Sequence, residues 1–103
     1  MEIRFSRDAM HDLQELKHWL RPLSPQGYGN VSKRLAAAIQ SLKQQPYSGR
    51  PTIREHIREL VEPRYGFIVP YIVRDQTIWI LRVYSARRYP LNYTDFPGSA
   101  DPV

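Results

Sequence analysis

The chain has 103 residues, 42% of them apolar and 12% aromatic. That is enough for one compact core and too little for two domains that each stabilise themselves. No cysteine is present, which excludes disulfides, thiolate nucleophiles and zinc–thiolate sites. A formal charge of +5 and a pI near 9.8 favour an anionic or acidic partner.

Ile3 and Phe5 alternate with Glu2 and Arg4, a short strand signal. Ser6 is a good N-cap and Asp8 falls in the first turn, where the helix dipole favours a carboxylate. Met10, Leu13, Leu16 and Leu20 then give one helix an apolar face, and Pro22, Ser24, Pro25, Gly27 and Gly29 read as a break. A second helix carries Val31, Leu35, Ala38, Ile39 and Leu42 on one side and stops at Pro46. The two should form an antiparallel hairpin with a face left to cover.

Residues Tyr47 to Thr52 read as a loop, and Ile57 to Val61 alternates weakly. Phe67–Val73 and Thr77–Ser85 are β runs, joined as a hairpin through Arg74-Asp75-Gln76. Along the second run, Trp79, Leu81 and Val83 should point one way and Ile78, Ile80, Arg82 and Tyr84 the other. Pro70 removes a ladder donor, so a bulge or an unpaired edge is expected beside it. The order is β-α-α-β-β-β, an α+β sandwich with a small, mainly antiparallel sheet on a helical hairpin. Residues 1–90 read as one domain. Residues 91–103, with Pro97, Gly98, Ser99, Asp101 and Pro102, read as a C-terminal tail that is mobile when free.

Charge is unevenly placed. Between residues 50 and 89 stand Arg50, Arg54, Arg58, Arg64, Arg74, Arg82, Arg87 and Arg88, against Glu55, Glu59, Glu62 and Asp75, with no lysine. The guanidinium is a planar fork of donors matched to phosphate and carboxylate. This half therefore reads as an anion-docking surface. The N-terminal Met-Glu-Ile-Arg-Phe lacks a secretory core and no apolar run suits a bilayer, so a cytoplasmic protein with no membrane partner is expected.

The stretches Ile57-Arg-Glu-Leu-Val-Glu-Pro, Phe67-Ile-Val-Pro-Tyr-Ile-Val and Ile80-Leu-Arg-Val-Tyr-Ser-Ala-Arg-Arg-Tyr-Pro occur in that order, after a Gly49-Arg50-Pro51 loop. In this arrangement the chain resembles the ParE-type branch of the RelE/ParE superfamily, over about residues 1 to 90. The resemblance implies the toxin of a type II toxin–antitoxin system, a growth inhibitor neutralised by a cognate antitoxin. In the ParE-type branch the implied act is inhibition of DNA gyrase by binding. Arg58, Arg82, Tyr84, Arg87, Arg88 and Tyr89 would then be target-contact residues, a mix common in interface hot spots. The alternative is a RelE-type mRNA endoribonuclease acting with the ribosome, an mRNA interferase, with Arg58, Arg87, Arg88 and Tyr93 as its candidate catalytic set. A third reading is a non-toxic basic module that binds nucleic acid.

Two departures bear on the choice. Ser85 stands where many ParE-like chains have His, and Ile68 falls where the nuclease branch has an arginine on its third strand. Cleavage at a 2′-OH also needs a base, and arginine stays protonated. The binding inhibitor is therefore the leading expectation. No cofactor or metal is implied: His11, Glu15 and His18 share a helical stripe but read as a solvated face.

Overall fold

A computed structural model of the chain describes residues 1–87. Its elements are β1 (Glu2–Phe5), α1 (Arg7–Leu23), α2 (Pro25–Gln40), a 3-10 turn (Ser41–Lys43), β2 (Arg50–Pro51), β3 (Arg58–Glu62), β4 (Phe67–Arg74), β5 (Thr77–Ile80) and β6 (Tyr84–Ser85). The helix pair covers one face of a sheet ordered β1-β5-β4-β3-β2, and β6 also pairs with β4. β1 runs parallel to β5, and the other pairings are antiparallel. This is the expected α+β sandwich, built on a mixed sheet. The short edge strand β2 lies inside the segment that reads as a loop, and its Pro51 leaves that edge without a donor. The expected tail, 91–103, lies outside the described residues.

The two helices meet more tightly than their sequence suggests. The break expected over residues 22–29 shrinks to Ser24 alone: α1 runs through Pro22, and α2 starts at Pro25. Proline suits the first helical turn, where its missing N–H would have no partner. The Ser24 hydroxyl caps α2 by accepting from the Gly27 N–H at 3.0 Å. A Cβ on Gly27 would lie 2.7 Å from that hydroxyl, so a larger residue there would shift the serine side chain. On α1 the buried stripe begins at Ala9, and Met10, expected to face inward, is exposed.

Val31, Leu35 and Ile39 of α2, with Leu42 of the 3-10 turn, join Ala9 and Leu16 over Phe67, Val69, Tyr71, Ile78 and Ile80. Cross-strand neighbours share a face, so Ile68, Pro70 and Ile72 belong to the side of the sheet away from the helices. The turn after β3 is organised by Glu62, a nearly buried carboxylate. It accepts from the backbone N–H groups of Arg64 (2.9 Å) and Tyr65 (2.8 Å) and pairs with Arg34 of α2 at 3.3 Å. Gly66 closes that turn at φ 76°.

The β4–β5 hairpin turns on two residues, Asp75 at φ 51° and Gln76 at φ 62°, with Arg74 paired to Thr77. Two consecutive left-handed residues are the geometry whose twist suits a hairpin, and they favour Asn or Asp followed by Gly. Asp75 fits that preference. Gln76 bears the steric cost of a Cβ in the left-handed region. Gln76→Gly should therefore stabilise the fold by about 1 kcal/mol. Urea unfolding checks this, and an unchanged or lower midpoint would show that the turn stores no such strain.

Candidate functional site

The last β run is two strands in one line, broken by an insertion. Tyr71 pairs with Ile80, and three positions earlier on β4, Ile68 pairs with Tyr84. Two residues of β4, Val69 and Pro70, thus face three on the other side, Leu81, Arg82 and Val83. That is a β-bulge, and it sits where Pro70 led one to be expected. Leu81 donates to the Pro70 carbonyl at 2.8 Å. The return bond cannot form because Pro70 has no N–H. The Ser6 hydroxyl donates to the Leu81 carbonyl instead, at 2.9 Å.

One inserted residue reverses the side-chain alternation. Val83 joins Ile78 and Ile80 in the core under the helices, while Tyr84 lies beside Ile68 on the other face. The expected division, with Trp79, Leu81 and Val83 together against Ile78, Ile80, Arg82 and Tyr84, is corrected accordingly. Unbroken alternation would have required an unbroken strand.

The bulge is held by Asp12 of α1, a residue that the sequence does not single out. Its carboxylate accepts two bonds from Arg82, Nε to Oδ2 at 2.7 Å and Nη2 to Oδ1 at 3.0 Å. Oδ2 also accepts from the Val83 N–H at 2.9 Å. The Asp12 side chain is only 12% exposed and Arg82 36%. The hydrogen bonds that it donates to Asp12 hold the Arg82 guanidinium above its ordinary pKa range, against the opposing effect of burial. Arg82 is therefore occupied within the fold, and Tyr84 is largely buried.

Arg58 is occupied too, on β3 at the other side of β4, opposite Tyr71. It donates from Nη1 to the carbonyls of Gly49 (2.8 Å) and Tyr47 (3.2 Å) and lies over the Tyr47 ring at 5.5 Å. It thereby fastens the loop that enters β2. The same loop donates its Gly49 N–H to the hydroxyl of Tyr71 at 2.8 Å. A Cβ on Gly49 would come 2.5 Å from the Tyr71 ring, which explains glycine in the Gly49-Arg50-Pro51 loop by close approach. Burial pushes the Tyr71 phenol above its free value of 10.0, opposed by the Gly49 bond, the charge of Arg58 and a bond to Ser48.

Arg87 is exposed and lies against Gly66, where a Cβ would be 3.2 Å from its Nε. It has no polar partner among the described residues. On the ladder Arg58 faces Tyr71, so Arg58 and Arg87 are set roughly 17 Å apart along β4. The described arginines of the expected set thus stand on three different segments, β3, the bulge and the turn after β6. Arg88, Tyr89 and Tyr93 lie outside the described residues.

Between α1 and the bulge lies a half-open cleft of about 220 Å³. Its floor is apolar, with Leu16, Trp19, Phe67 and Val83, and its rim carries His11, Glu15, the Asp12–Arg82 pair and Ser85. Sequence reading placed His11 and Glu15 on a solvated stripe; only the tertiary fold brings β6 beside them.

Three comparisons bear on this geometry. The family model for the ParE toxin of type II toxin–antitoxin system, parDE, matches residues 3–90. A Sinorhizobium fredii (strain NBRC 101917 / NGR234) protein named "Putative toxin Y4kP" is 34% identical over 77 residues, covering 74% of this chain and 80% of its own length. A chain of the chromosomal ParDE TA system from P. aeruginosa superposes with a TM-score of 0.72 at 25% identity, over 82% of this chain and 95% of that one.

Asp12→Ala should cost about 2–3 kcal/mol in urea unfolding, because it bares the Val83 N–H and the Arg82 charge together. A loss under half a unit would mean that the carboxylate does not hold the bulge. Tyr71→Phe keeps the ring but strands the buried Gly49 N–H, at about 1–2 kcal/mol. A raised phenol pKa means that the unfolded chain gives up its proton first. Tyr71 therefore contributes stability that is whole below pH 10 and is lost as pH rises through its folded value. The decline of wild-type stability above pH 10 should be shallower in Tyr71→Phe, and parallel declines would exclude that contribution.

Proposed function

The chain belongs to the ParE toxin family of type II toxin–antitoxin systems, and from that premise we propose that it arrests growth by binding DNA gyrase, not by cutting RNA. The observation that carries this reading is the dispersal of the cations a nuclease would need to gather. Phosphoryl transfer requires donors converging on one developing charge, within a few ångströms of the reacting phosphate. Arg58 is spent on two loop carbonyls, and Arg87 stands away from it at the Gly66 turn before β4. The position given to an arginine in the nuclease branch holds Ile68, which is 8% exposed and packed on the far side of the sheet.

A binding inhibitor asks less of the toxin. It needs an exposed patch of guanidinium and aromatic groups, and no proton acceptor. Arg87 at the end of β6 supplies the first such group, and Arg88 and Tyr89 follow it in the sequence. The same premise implies a cognate antitoxin. Its task is to cover that patch or to hold the toxin away from its target.

The test is supercoiling of relaxed DNA by purified gyrase, run beside a translation assay that scores cleaved messages. The chain should block supercoiling and leave messages intact. Arg87→Ala with Arg88→Ala should lose the inhibition by at least about tenfold. Translation arrest with cut messages and unimpeded gyrase would overturn the reading in favour of the nuclease.

A further inference from the structure

The positive charge of this chain is concentrated in one stretch of its sequence. Residues 16–54 hold seven lysines and arginines and no aspartate or glutamate, while the other 64 residues hold eight against ten. The stretch therefore carries the whole of the net +5, and the remainder is slightly acidic. It comprises the second half of α1, all of α2, the 3-10 turn and the chain through β2. Three of its seven cations are engaged within the fold. Arg34 pairs with Glu62, Arg50 pairs with Glu59, and Arg54 is engaged as well. The other four, Lys17, Arg21, Lys33 and Lys43, are exposed and have no polar partner among the described residues.

Lys17 and Arg21 are about one helical turn apart, roughly 6 Å along the axis, and so stand on one side of α1. With Gln14 and His18 they line a broad hollow of about 560 Å³, completed by Pro22 and Pro25 at the closed end of the hairpin. No carboxylate lines it. Asp12 and Glu15 of the same helix line the cleft toward β6 instead. Lys33 lies two residues from the buried Val31 and two from the buried Leu35, which turns it to the side of α2 away from the sheet. The outward surface of the helical layer thus presents cations from both helices.

The character of this surface selects its ligand. A lipid surface asks for a row of apolar side chains on the helix. The exposed apolar residues of α1, Met10 and Leu23, stand toward its two ends and form no row. An acidic peptide asks for apolar anchors sunk in a groove, and the hollow is lined by prolines and polar groups. Lysine and arginine on an open surface suit a phosphate backbone, to which they dock without reading bases. Duplex DNA is the polyanion that the proposed gyrase target brings with it. We propose that Lys17, His18, Arg21 and Lys33 form a docking surface for the phosphate backbone of duplex DNA, bound without regard to sequence. The choice of DNA rests on the gyrase reading above; the surface itself rests on its charge. Arg87 lies at the Gly66 turn, so the gyrase contact and the DNA contact belong to different segments of the chain.

The experiment titrates two labelled duplexes of unrelated sequence with the full chain, by fluorescence anisotropy, between about 50 and about 200 mM salt. Both should bind alike, with log K falling against log salt at a slope of about −3, as three phosphate-neutralising cations require. Lys17→Gln, Arg21→Gln and Lys33→Gln together should weaken binding at the lower salt at least about tenfold and bring the slope below about 1 in magnitude. The urea midpoint of the free chain should be retained. Gln14→Glu adds a carboxylate to the hollow and removes no packing, so it should weaken binding about threefold by itself. Absence of binding at the lower salt would overturn the proposal, as would folded variants that bind like wild type. Displacement by polyglutamate, single-stranded RNA or phosphatidylserine vesicles at a lower charge concentration than unlabelled duplex would assign the surface to an acidic protein, a message or a membrane, and would overturn it too. The supercoiling assay separates the two readings. Gyrase inhibited by a chain that binds no DNA sinks the surface and leaves the target, whereas DNA bound without inhibition leaves the surface and sinks the target.

Discussion

The carboxylate of Asp12 is the point on which this structure turns. Antiparallel strands tolerate an inserted residue only if something satisfies the backbone groups it displaces. Here one carboxylate on α1 takes the Val83 N–H and both ends of the Arg82 fork, and the Ser6 hydroxyl takes the carbonyl that Pro70 cannot serve. A helix and its N-cap thus complete a sheet that its own strands leave incomplete. In the same contact the helical hairpin is locked to the last strand, and the parity of that strand is set so that Val83 is buried under the helices.

Arginine has divided duties in this chain. Arg34 braces the Glu62 turn, Arg58 ties down the loop before β2, and Arg82 is bound by Asp12. A guanidinium presents several donors in a fixed plane, so one side chain can satisfy several acceptors at the end of a strand. A basic second half is therefore not by itself a docking surface. Part of that charge is structural, and among the described arginines Arg87, beyond β6, faces solvent. A dispersed set suits recognition of a macromolecule better than chemistry at one phosphate, since recognition spreads over a surface and catalysis converges on a point.

The bulge has a second effect. With β1 ending at Phe5 and the chain turning into a helix, the last strand has no second neighbour among the described residues and lies beside an apolar cleft. Exposed edges invite pairing with another chain and are normally blunted. The β2 edge is blunted by Pro51. Before β6, the Asp12 carboxylate takes the Val83 N–H.

Local patterns in the sequence were sufficient for the order of elements, the two amphipathic helices, the β4–β5 hairpin and the irregularity at Pro70. These depend on periodicity, caps and the missing proline donor, all properties of near neighbours along the chain. The Gly49-Arg50-Pro51 loop and the strand motifs were enough to suggest the family. The length of the helix break was misread, because Pro and Gly are also breakers and only packing showed α1 continuing to Leu23 with Ser24 as a shared boundary. Tertiary structure alone decided which faces of the last strand are inside, since Pro70 marks an irregularity without saying which strand carries the extra residue, and that residue inverts every position after it. It alone paired Asp12 with Arg82, seventy residues apart, and so decided that this arginine serves the fold. Periodicity reports which side chains want burial; only the three-dimensional arrangement determines which charges find each other.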